Sequence, residues 1–259
     1  MTLKFDEILE YWRGTRGLTS ELRKFLNKYP WHFDAMSHYS ACKLDSGRTL
    51  DALAFAQTAV STAYAAFPQD FIEGEHEIPG GFVENRPFLR CLYNLMITQY
   101  AMGEYSEASN TAYRMLQYDS QDRMGARLEL PKYLLRLGMY SKVLALFEDE
   151  QFEDTFHAAK YLLPIALLKV GRNDDARREI RGCLSTPRIA KYLLNEGLPQ
   201  PVPEQPFFGV TMGSELEGFL YANEYRSFWQ SEKDALNLLR EYSVEAEAQG
   251  WPRYLRHDL

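Results

Sequence analysis

The chain has 259 residues, of which 46% are hydrophobic and 25% charged, and its acidic residues outnumber the basic ones to give a formal charge of −7 at pH 7. This composition is that of a folded globular protein and excludes a disordered chain. The negative charge disfavours nucleic-acid binding, which depends on neutralising phosphates with lysine and arginine, and no apolar run reaches the roughly 18 residues of a membrane span.

The three cysteines are odd in number and far apart in the chain, at Cys42, Cys91 and Cys183. The first residues carry several carboxylates and lack the apolar stretch of a secretory signal. We therefore expect reduced thiols packed in the core of a cytoplasmic protein.

Glycines recur at regular intervals between segments with helical periodicity. The intervals are 33, 56, 35 and 33 residues, and the glycines are Gly14, Gly47, Gly103, Gly138 and Gly171. A glycine can take the positive φ that ends one helix and lets the next reverse. The spacing predicts consecutive helix pairs, with one pair followed by an insertion.

The first two predicted pairs precede this insertion. Helices are predicted over residues 3–13 and 19–28, the second with Thr19 or Ser20 as its N-cap and ended by Pro30. In the next pair, small residues at helical spacing predict a close approach of two helices. These residues are Ala52, Ala56 and Ala59.

Residues 66–87 form the insertion, which is rich in proline, glycine and carboxylates. A loop of this length is typically functional or mobile. Alternatively, the preceding helix extends through Tyr64 and the insertion folds back along the helices. Pro87 is predicted to lie in the first turn of the next helix.

Residues 89–122 contain the clearest pair, two amphipathic segments joined at Gly103 with small residues such as Ala108 and Ala112 on the inner face of the second. This segment resembles the tetratricopeptide repeat (TPR) family. The resemblance implies an all-α, TPR-like helix-turn-helix solenoid of about four to five helix pairs with a C-terminal helical cap.

Two further pairs are predicted at residues 123–150 and 157–184. Pro131 and Pro164 each lie seven residues before a turn glycine, inside the first helix of their pair. Proline in a helix interior removes a hydrogen bond, so we expect a kink in both helices.

The C-terminal part begins with a short helix at residues 189–194, interpreted as a truncated sixth unit. We expect three regions: repeats over residues 1–195, a proline-rich connector over 196–212 and capping helices over 213–259. The part from residue 85 to residue 229 is also similar to poorly characterised TPR proteins related to the suppressor-of-tumorigenicity type. The residues that carry this similarity are Gly213, Ser214, Glu217, Tyr221 and Trp229.

No catalytic residue, metal site or cofactor is predicted, because the chain lacks phosphate-binding glycine loops and the motif of a nucleophilic serine. His38 and Cys42 share a helix face, but a packed core pair explains them more simply than a metal site. His76 lies among glutamates of the insertion, where a solvated acidic loop is the simpler interpretation and a metal-dependent hydrolase is a third hypothesis.

The first helices of successive TPR units line a concave groove, which the resemblance predicts to bind a peptide or protein partner, possibly an acidic one. Asn94 matches one place of the carboxylate clamp in chaperone-binding TPR proteins, whereas Ser37 and Glu129 depart from that clamp. The alternative is a regulator or sensor that binds a small acidic ligand or nucleic acid through the same groove. The predicted groove residues are Arg90, Tyr93, Asn94, Ile97, Lys132, Arg136, Tyr161 and Lys169.

Overall fold

The computed structural model describes residues 2–12, 14, 17–71, 75–149, 160–184, 187–195, 210–211 and 213–248. In these residues every regular element is a helix, which confirms the predicted all-α fold of consecutive helix pairs. The α-helices are α1 (Thr2–Trp12), α2 (Leu18–Lys28), α3 (Phe33–Asp45), α4 (Thr49–Tyr64), α5 (Arg86–Ala101), α6 (Tyr105–Tyr118), α7 (Ala126–Arg136), α8 (Tyr140–Phe147), α9 (Leu163–Lys169), α10 (Asn173–Cys183), α11 (Pro187–Leu194), α12 (Glu215–Ser231) and α13 (Lys233–Ala248).

The chain divides into two compact units. Unit 1 comprises residues 1–137 and holds α1 to α7, and unit 2 comprises residues 138–259 and holds α8 to α13. The predicted division at residues 195 and 212 stays a prediction, since most of the connector, the start of the predicted pair 157–184 and residues 249–259 lie outside the described residues.

Turn glycines end the first helix of several pairs in the same way. At Gly47, Gly103 and Gly171 the φ angles are 74°, 80° and 77°. The amide after each glycine donates to the carbonyl five residues earlier at 2.9 Å, which is the hydrogen bond of a Schellman turn. Gly14 and Gly138 also have positive φ angles, so all five predicted turn glycines are confirmed.

The predicted alanine stripe holds α4 against its neighbours in unit 1. Ala52, Ala56 and Ala59 are fully buried, and the Ser40 hydroxyl of α3 donates to the Ala52 carbonyl at 2.7 Å. Helix α3 also packs against α5, as expected where one helix pair stacks on the next.

The insertion folds back onto unit 1 in its described parts. Helix α4 extends to Tyr64 as predicted, and the Phe67 and Phe71 rings stack with centroids 4.3 Å apart. Ile78 is buried, and its amide donates to the Tyr118 carbonyl at the end of α6 at 2.7 Å. The Phe67 ring also contacts that of Tyr64, with centroids 5.8 Å apart, so the insertion contacts the last residues of both α4 and α6. Pro87 lies in the first turn of α5 as expected.

Two predicted helix features are wrong. Helix α2 begins at Leu18, so Thr19 and Ser20 lie inside it, and its N-cap Gly17 makes no side-chain capping bond. Pro164 lies in the first turn of α9 rather than inside a helix, so its missing amide breaks no hydrogen bond of α9. Pro131 lies inside α7 as predicted.

In unit 2, helix α11 packs against α12 and so forms a pair rather than a truncated repeat. Ser214 caps α12, since its hydroxyl accepts the Glu217 amide at 3.1 Å. A Cβ atom added to Gly218 would lie 2.9 Å from the Arg188 carbonyl oxygen of α11. The absence of a side chain at Gly218 therefore permits the close approach of these two helices.

Candidate functional site

Arg90 and Asn94 of the predicted groove lie on the face of α5 that meets α3. The Arg90 guanidinium donates to the Asp34 carboxylate at 2.5 Å. The Asn94 amide donates to the Ser37 hydroxyl at 2.6 Å and to the Ser37 carbonyl at 3.1 Å. Both side chains therefore join two helices of the scaffold.

Two other predicted groove residues are buried. Lys132 is 3% exposed, forms an ion pair with Glu129 and lies 5.0 Å from the Tyr100 ring centroid. Tyr161 is 1% exposed and donates its hydroxyl proton to the Cys183 carbonyl. The distance of a residue from the turn glycine predicts which face of its helix the residue occupies. The burial of its side chain depends on neighbouring helices, which this distance does not predict.

The remaining predicted residues lie in both units. Tyr93 and Ile97 are half-buried on α5, and Arg136 is exposed at the end of α7, all in unit 1. Lys169 lies in unit 2 and forms an ion pair with Glu232. Since Arg90, Lys132 and Lys169 each pair with a carboxylate, their charges are largely compensated within the chain.

A cleft of about 800 Å³ lies in unit 1, and we call it the N-terminal cleft. Helix α1, the start of α3, the end of α4 and the start of α5 form its walls. It is lined by Phe5, Asp6, Leu9, Trp31, His32, Phe33, Asp34, Thr62, Ala65, Ala66, Val83, Glu84, Arg86, Pro87 and Arg90.

The lining of the N-terminal cleft is mostly apolar, and part of it is open to solvent. Trp31 is 59% exposed and Val83 is 67% exposed, although both are large hydrophobic residues. Phe5 is buried, with its ring centroid 4.7 Å from that of His32. Exposed apolar side chains around a concave surface are typical of an interaction site.

His32 shapes one wall of the cleft by capping α3. Its Nδ1 accepts the Ala35 amide at 3.1 Å, an arrangement that requires an unprotonated Nδ1. Burial lowers the pKa of the His32 imidazole below its ordinary value of 6.5, against the opposing effect of the nearby Asp34 carboxylate. The cap is therefore present when His32 is neutral.

We expect unit 1 to lose stability as the pH falls through the range in which His32 becomes protonated. The folded pKa of His32 is below its unfolded value, so its contribution is complete above about pH 6.5 and decreases below it. His32→Asn keeps a capping side chain that does not titrate and should flatten the pH dependence between about pH 7 and pH 5. Urea unfolding at several pH values measures this slope, with His76→Gln, at an exposed histidine, as the control. Equal slopes in His32→Asn and the wild type would show that the cap does not titrate.

The thiols have the character of core groups. Cys42, Cys91 and Cys183 are free, as predicted. Burial raises the pKa of the Cys91 thiol to about 12, so it is protonated at neutral pH.

Among the described residues, no three His, Cys, Asp or Glu side chains are grouped as metal ligands. None of the helices in this part of the chain has the length and apolarity needed to cross a membrane.

Sequence reasoning missed most of the cleft. Trp31 directly follows Pro30, which predicts only the end of a helix, and Val83 and Glu84 belong to the insertion. No local pattern links positions 31 and 83, because the folded-back insertion brings them together. Arg90 is the one predicted groove residue that also lines the cleft.

Comparison with known families gives one finding. A family model described as transcriptional repressor TCF25 matches residues 19–249. No curated protein matches the chain. The matching family is not the TPR family. The resemblance to TPR proteins therefore holds for the architecture of paired helices and not for family membership. The predicted cytoplasmic location is wrong, because transcriptional repressors act in the nucleus.

Proposed function

Because the chain belongs to the TCF25 family, we propose that it is a nuclear, non-enzymatic regulator of transcription that acts by binding a protein partner. The family description supports a regulatory role. Stacked helix pairs also present extended surfaces that commonly bind other proteins.

The N-terminal cleft carries this proposal. Its exposed Trp31 and Val83 would be desolvated by a partner, and removing apolar surface from water favours association. The buried contacts of α3, α4 and α5 hold its walls, so a partner would meet a site that is largely formed in advance.

The predicted groove offers a second candidate surface for the same role, through Tyr93 and Ile97 of α5 and Arg136 of α7. An acidic partner there is a weaker proposal, because Asp34 and Glu129 already pair with Arg90 and Lys132. The same pairing disfavours a small acidic ligand or nucleic acid in this groove.

A tethered reporter assay tests the proposed function. The full chain is fused to an unrelated DNA-binding domain, and we expect it to reduce expression of a reporter gene that carries the matching site. A Trp31→Ser, Val83→Asp double variant should lose this repression, since it removes apolar contact area and adds a charge at exposed positions. Leu50→Asp is the matched control, because Leu50 is 73% exposed and does not line the cleft.

Three outcomes decide between sites. Loss of repression in the cleft variant alone supports the N-terminal cleft. If Arg136→Glu loses repression while the cleft variant keeps it, the site moves to the predicted groove, to which Arg136 of α7 belongs. A wild-type fusion that leaves the reporter unchanged contradicts the proposed role in repression.

A further inference from the structure

We infer that the N-terminal cleft binds a segment of a partner protein in which a bulky apolar side chain lies next to a lysine or arginine. This inference rests on the proposed function and adds to it the chemical class of the partner. It follows from the distribution of apolar surface and charge among the residues that line the cleft.

The need for a bulky apolar side chain in the partner follows from the apolar residues at the floor and walls of the cleft. Phe5 is buried beneath the cleft, while Trp31 and Val83 expose more than half of their surface at its edge. An aromatic or long aliphatic side chain entering between them would remove apolar area of both partners from water. A fully polar segment would leave this surface without a matching group.

The charge requirement comes from the balance of charged side chains around the cleft. Five formally charged residues line the cleft, three acidic and two basic. Arg90 is paired with Asp34, and the Arg86 Nε donates to the Gly80 carbonyl at 3.1 Å. Asp6 and Glu84 remain exposed. Arg86 keeps its positive charge, since a carbonyl is neutral, so the three carboxylates and two guanidinium groups leave one net negative charge, which a partner's ammonium or guanidinium group complements.

The rim that carries Glu84 is held in place by the folded-back insertion. The Asn85 side-chain amide donates to the Pro79 carbonyl at 3.0 Å, next to the bond between Arg86 and Gly80. Ile78 is anchored by its hydrogen bond to Tyr118. The Glu84 carboxylate therefore extends from a segment that hydrogen bonds already hold in place. Less conformational freedom of this segment is lost when a partner binds.

An acidic segment fits the same surface poorly. Its carboxylates would lie near Asp6 and Glu84, and like charges at close range reduce affinity. We expect exchange of basic for acidic flanking residues to weaken binding roughly tenfold at low salt, with less discrimination as salt is added.

Peptide selection tests the inference with the purified full chain. A phage-displayed library of random linear peptides is selected against the wild type and, separately, against an Asp6→Lys, Glu84→Lys variant. We expect wild-type selections to be enriched in lysine or arginine next to aromatic or aliphatic residues. The variant should select aspartate or glutamate at those places. The matched control is Asp45→Lys, Glu107→Lys, which changes the net charge equally at exposed carboxylates outside the cleft and should select as the wild type does.

The outcomes separate this inference from the proposed function. Acidic peptides from the wild type, identical peptides from the wild type and the charge-exchanged variant, or no recovered peptide would overturn the inference. A concentration-dependent dimer dissociated by the charge exchange would also overturn it and assign the cleft to a second copy of the chain. Repression by the tethered fusion that depends on Trp31 and Val83 would leave the proposed function standing in each case.

Discussion

Replacing Arg90 by alanine should lower the free energy of unfolding of unit 1 by about 2–4 kcal/mol. The guanidinium is the partner of Asp34, whose side chain is only 12% exposed, so its removal leaves a nearly buried carboxylate without its closest cation. Partial exposure of Arg90 screens the pair, which places the expected effect below that of a fully buried ion pair. Urea unfolding followed by circular dichroism measures the change.

Two further variants serve as comparisons for Arg90→Ala. A double variant, Asp34→Asn with Arg90→Leu, removes both charges and should be more stable than Arg90→Ala, because no unpaired ion remains. Arg23→Ala, at an exposed arginine of α2, should change stability by less than about 0.5 kcal/mol. If Arg90→Ala changes the free energy of unfolding as little as Arg23→Ala does, the ion pair contributes nothing to the stability of unit 1.

An unstable Arg90 variant is also unsuitable for testing partner binding, since lost binding would then report lost structure.

Replacing Gly218 by alanine should destabilise unit 2 by about 1–3 kcal/mol. The new methyl group would lie 2.9 Å from the Arg188 carbonyl oxygen and 2.7 Å from the Tyr192 ring. A tyrosine ring can rotate away, but the carbonyl belongs to the backbone of α11, so the two helices must separate.

The matched control for Gly218 is Gly182→Ala in α10 of the same unit. A Cβ atom at Gly182 meets no other atom within 4 Å, so the substitution should only improve helix propensity. We expect a gain of up to about 1 kcal/mol. Thermal unfolding of both variants decides the prediction, which is wrong if the two substitutions shift the melting temperature in the same direction.

The turn glycines and the alanine stripe could be predicted from the sequence because their causes are local. A positive φ at Gly103 and a capping bond between Ser214 and Glu217 depend on a few neighbouring residues. Pro164 shows the limit of this reasoning. Its distance from the turn glycine equals that of Pro131, yet α9 begins at Leu163, so the same register position falls in a first turn.

The candidate site was less predictable because long-range contacts determine it. The sequence identifies Lys132 as a cation on a helix, whereas Tyr100 on another helix helps to bury it. Likewise, the partner of Arg90 is Asp34, which lies 56 residues earlier. The N-terminal cleft depends on the path of the insertion, and helical periodicity carries no information about that path.

The folded-back insertion has a consequence for how unit 1 unfolds. In an array of stacked helix pairs each pair contacts only its neighbours, so such arrays can lose their end pairs one at a time. Here Tyr64 at the end of α4 and Tyr118 at the end of α6 share a hydrogen bond between their hydroxyls, and Ile78 is bonded to Tyr118 as well. The second and third pairs cannot separate at these ends without breaking the contact between the two hydroxyls. Hydrogen exchange should therefore show α4 and α6 opening as a single cooperative unit, while α1 exchanges earlier.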